Sequence, residues 1–278
     1  MSQGLTEASN PESANLSELS ISDIVALMNR LDEGVVAAVR EALPAISALT
    51  EAVYGCLQHN HRLFYIGAGT SGRLGVLDAS ECPPTFGVDP SLVQAIIAGG
   101  LTAVTRAVEN AEDDREAGAR ALRERGLEPG DAVIGISASG TTPFVLGALE
   151  FARSYGAVTG SVYCNPGAPA GEVAQYPVLA AVGPEVLRGS TRLKAGTATK
   201  MVLNMVSTAV MVKLGHCVGN LMIDVVANNR KLVDRQARIL AELKGLDYED
   251  ARLRLLSAKG NMRQVLKALE DEEGADGR

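Results

Sequence analysis

Short apolar runs alternate with amphipathic helical stretches through the middle of this chain. Continuous apolar runs are typical of parallel strands in a sheet that is covered on both faces. The alternation therefore predicts a doubly wound α/β fold built on a five-stranded parallel sheet. The predicted strands cover residues 63–66, 92–98, 132–137, 158–163 and 177–182, and the helices between them cover about 71–80, 113–125, 142–155 and 169–174.

Further helical patterns precede and follow these strands. Residues 1–20 are polar and predict an arm. Ser22 is placed to cap a short helix that ends near Arg30, and Asp32 to cap a longer one with a kink or break at Pro44. After the strands, helices are predicted over about 195–214, 226–244, 248–258 and 261–271, and disorder over 271–278. The predicted division is an arm with helices (1–50), a sheet domain (51–218) and a small C-terminal helical region (219–278).

The bulk composition, 46% hydrophobic and 21% charged, is that of a soluble globular protein. A net charge of −7 disfavours broad nucleic-acid binding, which needs basic surface. No apolar run reaches the roughly 18 residues of a membrane helix, and the N-terminus lacks a signal region, so we expect a cytoplasmic protein with no membrane partner. The four cysteines form no C-x-x-C pair, which disfavours a zinc ribbon or a redox dithiol, and no metal site is predicted.

A glycine-rich segment, residues 67–72 (the glycine loop), follows the first predicted strand and opens a helix. Its glycines, Gly69 included, allow close backbone approach to a ligand, and Thr70 and Ser71 add hydroxyls. The segment matches G-x-G-x-x-G, but a dinucleotide site also needs an acid at the end of the second strand. Residues 95–100 contain no acid, which disfavours that interpretation.

A second polar segment, residues 137–142 (the hydroxyl loop), follows the third predicted strand in the same way. Ser137, Ser139 and Thr142 surround Gly140 at the start of the next helix, where the helix dipole favours an anion. Ordinary N-capping by Ser or Thr is the simpler explanation, but one cap needs one hydroxyl. Four hydroxyls in six residues, together with those of the glycine loop, favour a phosphate site.

These two loops resemble the sugar isomerase (SIS) phosphosugar-binding domain, and six other segments extend the resemblance to the N-acetylmuramic acid 6-phosphate etherase family. They are T-E and N-P at 6–7 and 10–11, D-A-S-E-C-P-P-T at 78–85, A-V-E-N-A-E-D at 107–113, G-S-T-R-L-K-A-G-T-A at 189–198 and G-N-L-M-I-D-V at 219–225. The resemblance implies a flavodoxin-like strand order and a homodimer. It also implies a carbon–oxygen lyase that removes D-lactate from the phosphosugar in cell-wall recycling.

The chemistry of that reaction can be matched to residue types. An ether at C3 becomes labile when the sugar opens to its aldehyde, because the C2 proton is then α to a carbonyl. Removing that proton and expelling lactate gives an unsaturated aldehyde, to which water adds at C3. Two carboxylates can serve as acid and base, and the steps call for no metal or organic cofactor.

Spacing alone does not choose the two carboxylates. Glu81 lies beside an apolar Cys-Pro-Pro run that should end its helix, and Glu112 is one of five acids between residues 109 and 116. The resemblance points to Glu81 as the acid at the departing lactate oxygen and to Glu112 for the C2 proton or the water. Arg192 and Lys194 are candidates for the lactyl carboxylate or the phosphate, with a surface basic pair as the alternative.

Two other functions use the same loops. A phosphosugar aldose–ketose isomerase would want a ring-opening acid/base, often His, but His59 and His61 precede the first strand at the wrong end of the sheet. A non-catalytic phosphosugar sensor would not need two carboxylates at the sugar. Cys82 is disfavoured as a nucleophile because ether elimination needs no covalent step.

Overall fold

A computed structural model describes residues 4–225 and 230–276 of the chain. Its main sheet has five parallel strands in the order β2-β1-β3-β4-β5, which confirms the predicted doubly wound α/β fold and its flavodoxin-like order. The strands are β1 (Leu63–Gly67), β2 (Val93–Ile97), β3 (Ala132–Ile136), β4 (Val158–Tyr163) and β5 (Tyr176–Leu179). Every residue of β1 and β3 is buried, as continuous apolar runs require of central strands.

Three short 3₁₀ helices lie within residues 5–18, and the α-helices follow them along the chain. In chain order the helices are α1 (Ile21–Glu41), α2 (Leu43–Gln58), α3 (Gly69–Phe86), α4 (Thr102–Thr105), α5 (Arg115–Glu124), α6 (Pro143–Ser154), α7 (Ala170–Val173), α8 (Lys194–Lys213), α9 (Arg230–Lys244), α10 (Tyr248–Ser257) and α11 (Met262–Asp276). A two-stranded antiparallel sheet joins β6 (Cys217–Val218) to β7 (Leu221–Met222).

The predicted boundary between two N-terminal helices near residue 31 is wrong. Helix α1 is continuous, and its N-terminal cap is Ser20, whose side chain accepts a hydrogen bond from the Asp23 N–H at 3.2 Å. The predicted break near Pro44 is confirmed, since α1 ends at Glu41 and α2 begins at Leu43. Proline fits the first turn of a helix because its missing N–H would have no intrahelical acceptor there.

The predicted end of α3 near residue 80 is also wrong, because the helix continues through Pro83 and Pro84 to Phe86. Proline's fixed φ is helical, so the pair can extend the helix even though neither residue supplies an N–H. The helix ends instead at Gly87, whose φ is +65° and whose N–H donates to the Pro83 carbonyl at 2.9 Å. A Cβ at Gly87 would lie 2.4 Å from the carbonyl oxygen of Asp224, so only glycine fits.

The chain divides into two compact units. The larger comprises Met1–Ser80 and Pro90–Val210, and the smaller comprises Glu81–Asp89 and Met211–Arg278. The larger unit has a core between the sheet and helices α5 and α6, centred on Phe64, Ile66, Val133 and Leu149. The three-part division at residues 50 and 218 stays a prediction.

The smaller unit has its own core, formed by side chains of α9, α10 and α11 that include Leu240, Leu255 and Met262. The predicted helix over 226–244 is observed from Arg230, and residues 226–229 lie outside the described part of the chain. Disorder over 271–278 is wrong for residues up to 276, because α11 extends to Asp276. The last two residues also lie outside the described part. Within residues 4–225 and 230–276, no helix is both long and apolar enough to cross a membrane.

Candidate active site

The hydroxyl loop lies at the carboxyl end of β3 and forms a connected network of hydroxyl groups. The Ser137 Oγ lies 3.2 Å from the Ser139 Oγ and 2.8 Å from the Thr142 Oγ1. The Thr141 hydroxyl donates to the Ser139 Oγ at 3.0 Å, and the Gly140 N–H donates to the Ser137 Oγ at 3.0 Å. Ser137 is buried, whereas Ser139 and Thr142 are half-buried, so the network extends from the core to an accessible edge.

The first turn of α6 does not use Thr142 as an ordinary cap, because the Thr142 side chain makes no capping hydrogen bond there. The Val145 and Leu146 N–H groups donate instead to the Thr142 carbonyl, at 3.0 and 3.1 Å. The Phe144 N–H donates to the Glu112 carbonyl at 3.0 Å. Simple N-capping therefore does not explain the Thr142 hydroxyl, which stays in the network of the hydroxyl loop.

The glycine loop carries the chain from β1 into α3 in a very tight turn. A Cβ at Gly72 would lie 2.8 Å from the Gly67 carbonyl oxygen and 2.6 Å from Cγ1 of Ile97, so glycine is required there. A Cβ at Gly196 would lie 3.7 Å from Cγ2 of Thr70, which places the start of α8 next to this loop. The structure thus brings Thr70 together with the segment that carries Arg192 and Lys194.

Glu112 is exposed and lies on the loop between α4 and α5. Arg73 of α3 holds α4 just before this loop, because its Nε donates to the carbonyls of Ala103 and Val104, both at 3.1 Å. The guanidinium also donates to the Arg106 carbonyl at 3.4 Å. The loop borders a cavity of about 230 Å³ whose lining includes Gly69, Arg73 and Glu112. The glycine loop and Glu112 therefore border one concave space.

Arg192 and Lys194 have different environments. Arg192 is exposed, while Lys194 is buried and donates from Nζ to the Val182 carbonyl at 2.7 Å. The fully buried carboxylate of Glu185 caps α8 by accepting the N–H groups of Lys194 and Ala195, at 2.9 and 3.0 Å. Lys194 thus has a structural contact of its own, and binding of a ligand by either basic residue stays a prediction.

Glu81 belongs to the smaller unit and is exposed on the last turns of α3, and its neighbour Cys82 is buried. Three residues earlier, within the larger unit, the buried Asp78 accepts hydrogen bonds from the Tyr65 hydroxyl (2.9 Å), the Asn204 amide (2.8 Å) and the Ser207 hydroxyl (3.1 Å). These bonds tie the first part of α3 to β1 and α8.

The cysteine thiols include two that burial makes less acidic. Burial, reinforced by the negative charge of Glu185, raises the pKa of Cys164 to about 12. Burial and the nearby Asp131 also raise the pKa of Cys56. In the described part of the chain, no cluster of three or more His, Cys, Asp or Glu side chains has the geometry to hold a metal ion.

The histidines occupy two regions. His61 packs its ring on Gly130, just before β3, at the amino ends of the strands. The His59 Nδ1 donates to the Gly55 carbonyl, 2.7 Å away in the preceding helix. Both positions agree with the prediction that these residues lie at the end of the sheet opposite the two loops.

No pattern in the sequence singles out His216, which forms a cluster within the smaller unit. Its Nδ1 lies 2.8 Å from the Asp224 carboxylate, which also pairs with the Arg263 guanidinium. The cluster lines a cavity of about 430 Å³. Because the Asp224 carboxylate contacts both His216 and Arg263, the cluster joins the segment that follows β7 to α11.

Curated relatives match almost the whole chain. An N-acetylmuramic acid 6-phosphate etherase from Gloeobacter violaceus is 56% identical over 256 residues, which is 92% of this chain and 83% of the relative. The chain belongs to the N-acetylmuramic acid 6-phosphate etherase family. A family member from Geobacillus thermodenitrificans is 51% identical over 261 residues, which is 94% of this chain and 88% of the relative.

More distant comparisons agree on the fold of this etherase-family chain. The sequence model of the glucokinase regulatory protein N-terminal SIS domain matches residues 46–153, which include both loops, Glu81 and Glu112. The solved structure of a phosphoheptose isomerase from Francisella tularensis superposes with a TM-score of 0.51 at 16% identity, covering 70% of this chain and 99% of that one. At this identity, the likeness to the isomerase shows the SIS fold alone.

Proposed function

We propose that this etherase-family protein cleaves the D-lactyl ether of N-acetylmuramic acid 6-phosphate to give D-lactate and N-acetylglucosamine 6-phosphate. The observation that carries the proposal is the network of hydroxyl groups at the carboxyl end of β3, joined through the Phe144 N–H to the loop of Glu112. Such hydroxyls suit a phosphate ester, and an adjacent carboxylate suits proton transfer on the attached sugar. The relatives' shared name supplies the identity of the sugar.

The reaction consists of an elimination and a hydration. In the open-chain aldehyde, a base removes the C2 proton, the C3–O bond breaks, and the electron pair of the C2–H bond forms the C2–C3 double bond. The departing lactate oxygen takes a proton. Water then adds its oxygen to C3 while C2 regains a proton, so the sum of the two steps is hydrolysis of the ether. Proton transfer by positioned carboxylates accelerates such steps by about 10²–10⁴-fold each.

We assign the proton transfers to Glu81 and Glu112. Glu81 protonates the departing lactate oxygen, and Glu112 takes the C2 proton or activates the water. Their exposure leaves both carboxylates accessible to a substrate. The phosphate is assigned to the glycine and hydroxyl loops, through Gly69, Thr70, Ser71, Ser137, Ser139, Gly140 and Thr142. Arg192, which is exposed, is assigned to the lactyl carboxylate, with Lys194 as the second basic candidate.

The biological setting follows from the same proposal. A protein with this activity would act on cell-wall amino sugars that have been phosphorylated, in the cytoplasm, and as the homodimer that the sequence resemblance implies. The steps above use only proton transfers and water, so we propose a carbon–oxygen lyase that works without an added cofactor.

Purified protein incubated with N-acetylmuramic acid 6-phosphate tests the proposal through an enzymatic assay of D-lactate. Wild-type protein should release lactate in proportion to the sugar phosphate consumed. Glu81→Gln should bind the substrate with little release, and Glu116→Gln, which alters another exposed acid a few residues beyond Glu112, should retain wild-type activity. Conversion of an amino-sugar phosphate to a ketose would favour an isomerase, and binding without any turnover would favour a sensor.

A further inference from the structure

The N-terminal segment, residues 4–10, is fastened to the candidate active site by buried side chains. Thr6 is completely buried, which is unusual for a polar residue. Its N–H donates to the Asn165 Oδ1 at 3.0 Å, and the Asn165 Nδ2 donates to the Thr6 Oγ1 at 3.0 Å. Thr6 and Asn165 therefore satisfy each other's hydrogen-bonding groups, although they lie 159 positions apart in the sequence.

Asn165 makes a third hydrogen bond, and this one reaches the hydroxyl loop. Its Nδ2 also donates to the Ser139 carbonyl at 3.1 Å. Asn165 is itself fixed, because it is 7% exposed and lies two residues beyond the end of β4. The Asn165 amide thus connects the N-terminal segment to the backbone of a residue whose hydroxyl is assigned to phosphate.

The same segment contacts a second part of the site. The Glu7 carbonyl accepts a hydrogen bond from the Arg188 Nε at 2.8 Å, and the Asn10 Nδ2 donates to the Pro184 carbonyl at 3.4 Å. Arg188 and Pro184 both lie on the segment that leads into α8 and carries Arg192. The N-terminal segment therefore spans two of the loops that are assigned to substrate.

We propose that Thr6 and Asn165 are positioning residues that fix the hydroxyl loop in its phosphate-binding conformation. This inference rests on the proposed function, since it concerns the phosphate site of that function. A loop that is already ordered loses less conformational entropy when the ligand binds, and releasing it raises that cost. Neither Thr6 nor Asn165 touches the reacting carbons in this assignment. Replacing either residue should therefore weaken substrate binding and leave the chemical step unchanged.

The first test compares two substitutions of Thr6. Thr6→Val removes the hydroxyl that accepts from Asn165 and keeps the shape, whereas Thr6→Ser keeps the hydroxyl. Thr50→Val is the matched control, because Thr50 donates to the Ile46 carbonyl within α2, away from the loops. We expect Thr6→Val to raise KM for N-acetylmuramic acid 6-phosphate about fivefold to tenfold with kcat within about twofold, a loss comparable to one hydrogen bond. Thr6→Ser and Thr50→Val should keep the wild-type KM.

A double-mutant cycle provides the second test. If Thr6 acts through Asn165, then Asn165→Ala raises KM at least as much as Thr6→Val, and the double variant is no worse than Asn165→Ala alone. If the increases in KM from Thr6→Val and Asn165→Ala multiply in the double variant, the two residues act independently and the inference is overturned. A fall in kcat at unchanged KM would also overturn it. So would equal changes in KM and melting temperature for Thr6→Val and Thr50→Val, since these would indicate a purely structural effect.

A binding measurement separates this inference from the proposed function. If wild-type protein releases no lactate, the proposed function fails, and calorimetric titration with N-acetylglucosamine 6-phosphate still compares the variants. Weaker binding by Thr6→Val than by Thr50→Val would then support the positioning role. Equal binding by these two variants would overturn it.

Discussion

The carbonyl oxygen of Glu112 lies 3.0 Å from the backbone nitrogen of Phe144, whose N–H it accepts. Phe144 is the second residue of α6, immediately after the hydroxyl loop and Pro143. The bond satisfies an amide that would otherwise lack an intrahelical partner, and it fixes the backbone of a candidate acid/base residue beside the candidate phosphate site. This link makes the positions of the two groups depend on each other.

If Glu112 takes the C2 proton, which is the first of its two assigned roles, the separate proton transfers of Glu81 and Glu112 predict different behaviour in deuterium oxide. Glu81→Gln should exchange the C2 proton for deuterium while releasing lactate at least 10²-fold more slowly, because the base survives and the acid is lost. Glu112→Gln should lose both exchange and release. Proton NMR of the sugar alongside the lactate assay makes the measurement. If Glu81→Gln abolishes exchange as well, Glu81 carries both steps and our assignment to Glu112 is wrong.

Removing the buried hydroxyl of the hydroxyl loop should weaken phosphosugar binding. Ser137→Ala deletes the oxygen that joins Ser139, Thr142 and the Gly140 N–H, so we expect a KM roughly tenfold higher and a loss of about 1–2 kcal/mol in unfolding free energy. Steady-state kinetics and urea denaturation report the two effects. Ser154→Ala, at the far end of α6, removes a hydroxyl bonded to the Phe151 carbonyl and should leave KM unchanged. An unchanged KM in Ser137→Ala would argue against this loop as the phosphate site.

Arg73 should be irreplaceable by lysine. Its Nε donates to two carbonyls and its terminal nitrogen to a third, a fork that a single ammonium group cannot reproduce. We expect Arg73→Lys to lower kcat/KM on the order of tenfold, corresponding to the loss of about 1.4 kcal/mol in holding α4 and the start of the loop that carries Glu112. Arg120→Lys, at an exposed ion pair with Asp114, serves as the control and should have little effect. Equal activities for the two variants would contradict a role for Arg73 in this loop.

Asp114 predicts a pH-dependent contribution to stability. The Ala117 N–H, with help from Arg120, lowers the pKa of this carboxyl below 3.8. Because the folded-state pKa is depressed, the stabilisation is present above the ordinary carboxyl pKa and is lost as the pH falls through the lowered value. The melting temperature of Asp114→Ala should therefore lie below that of wild type at pH 6, and the gap should close under acid.

Asp114→Ser separates charge from capping in that experiment. Serine can still accept the Ala117 N–H but does not titrate. The difference in melting temperature between Asp114→Ser and Asp114→Ala should therefore stay constant with pH. If the difference in melting temperature between wild type and Asp114→Ala persists at the lowest pH, the carboxylate charge is not the source of the stabilisation.

The sheet could be predicted because its strands are continuous apolar runs, and both loops could be placed because parallel strands end at one edge. The extension of α3 through Pro83 and Pro84 could not be predicted, because proline preferences alone do not reveal that the helix ends at Gly87. The hairpin of β6 and β7 was missed although its Gly219-Asn220 turn is a recognised signal. The pairing of Thr6 with Asn165 joins residues too distant in sequence for any local pattern to predict.

Oxygen-18 water tests the central claim of elimination and hydration most directly. The protein is incubated with N-acetylmuramic acid 6-phosphate in labelled water, and both products are analysed by mass spectrometry, with exchange at the C1 aldehyde measured separately. We predict unlabelled D-lactate and label at C3 of N-acetylglucosamine 6-phosphate, because the C3–O bond breaks and water supplies the new oxygen. Label in the lactate hydroxyl would mean that water attacks the lactyl carbon, and it would contradict the mechanism.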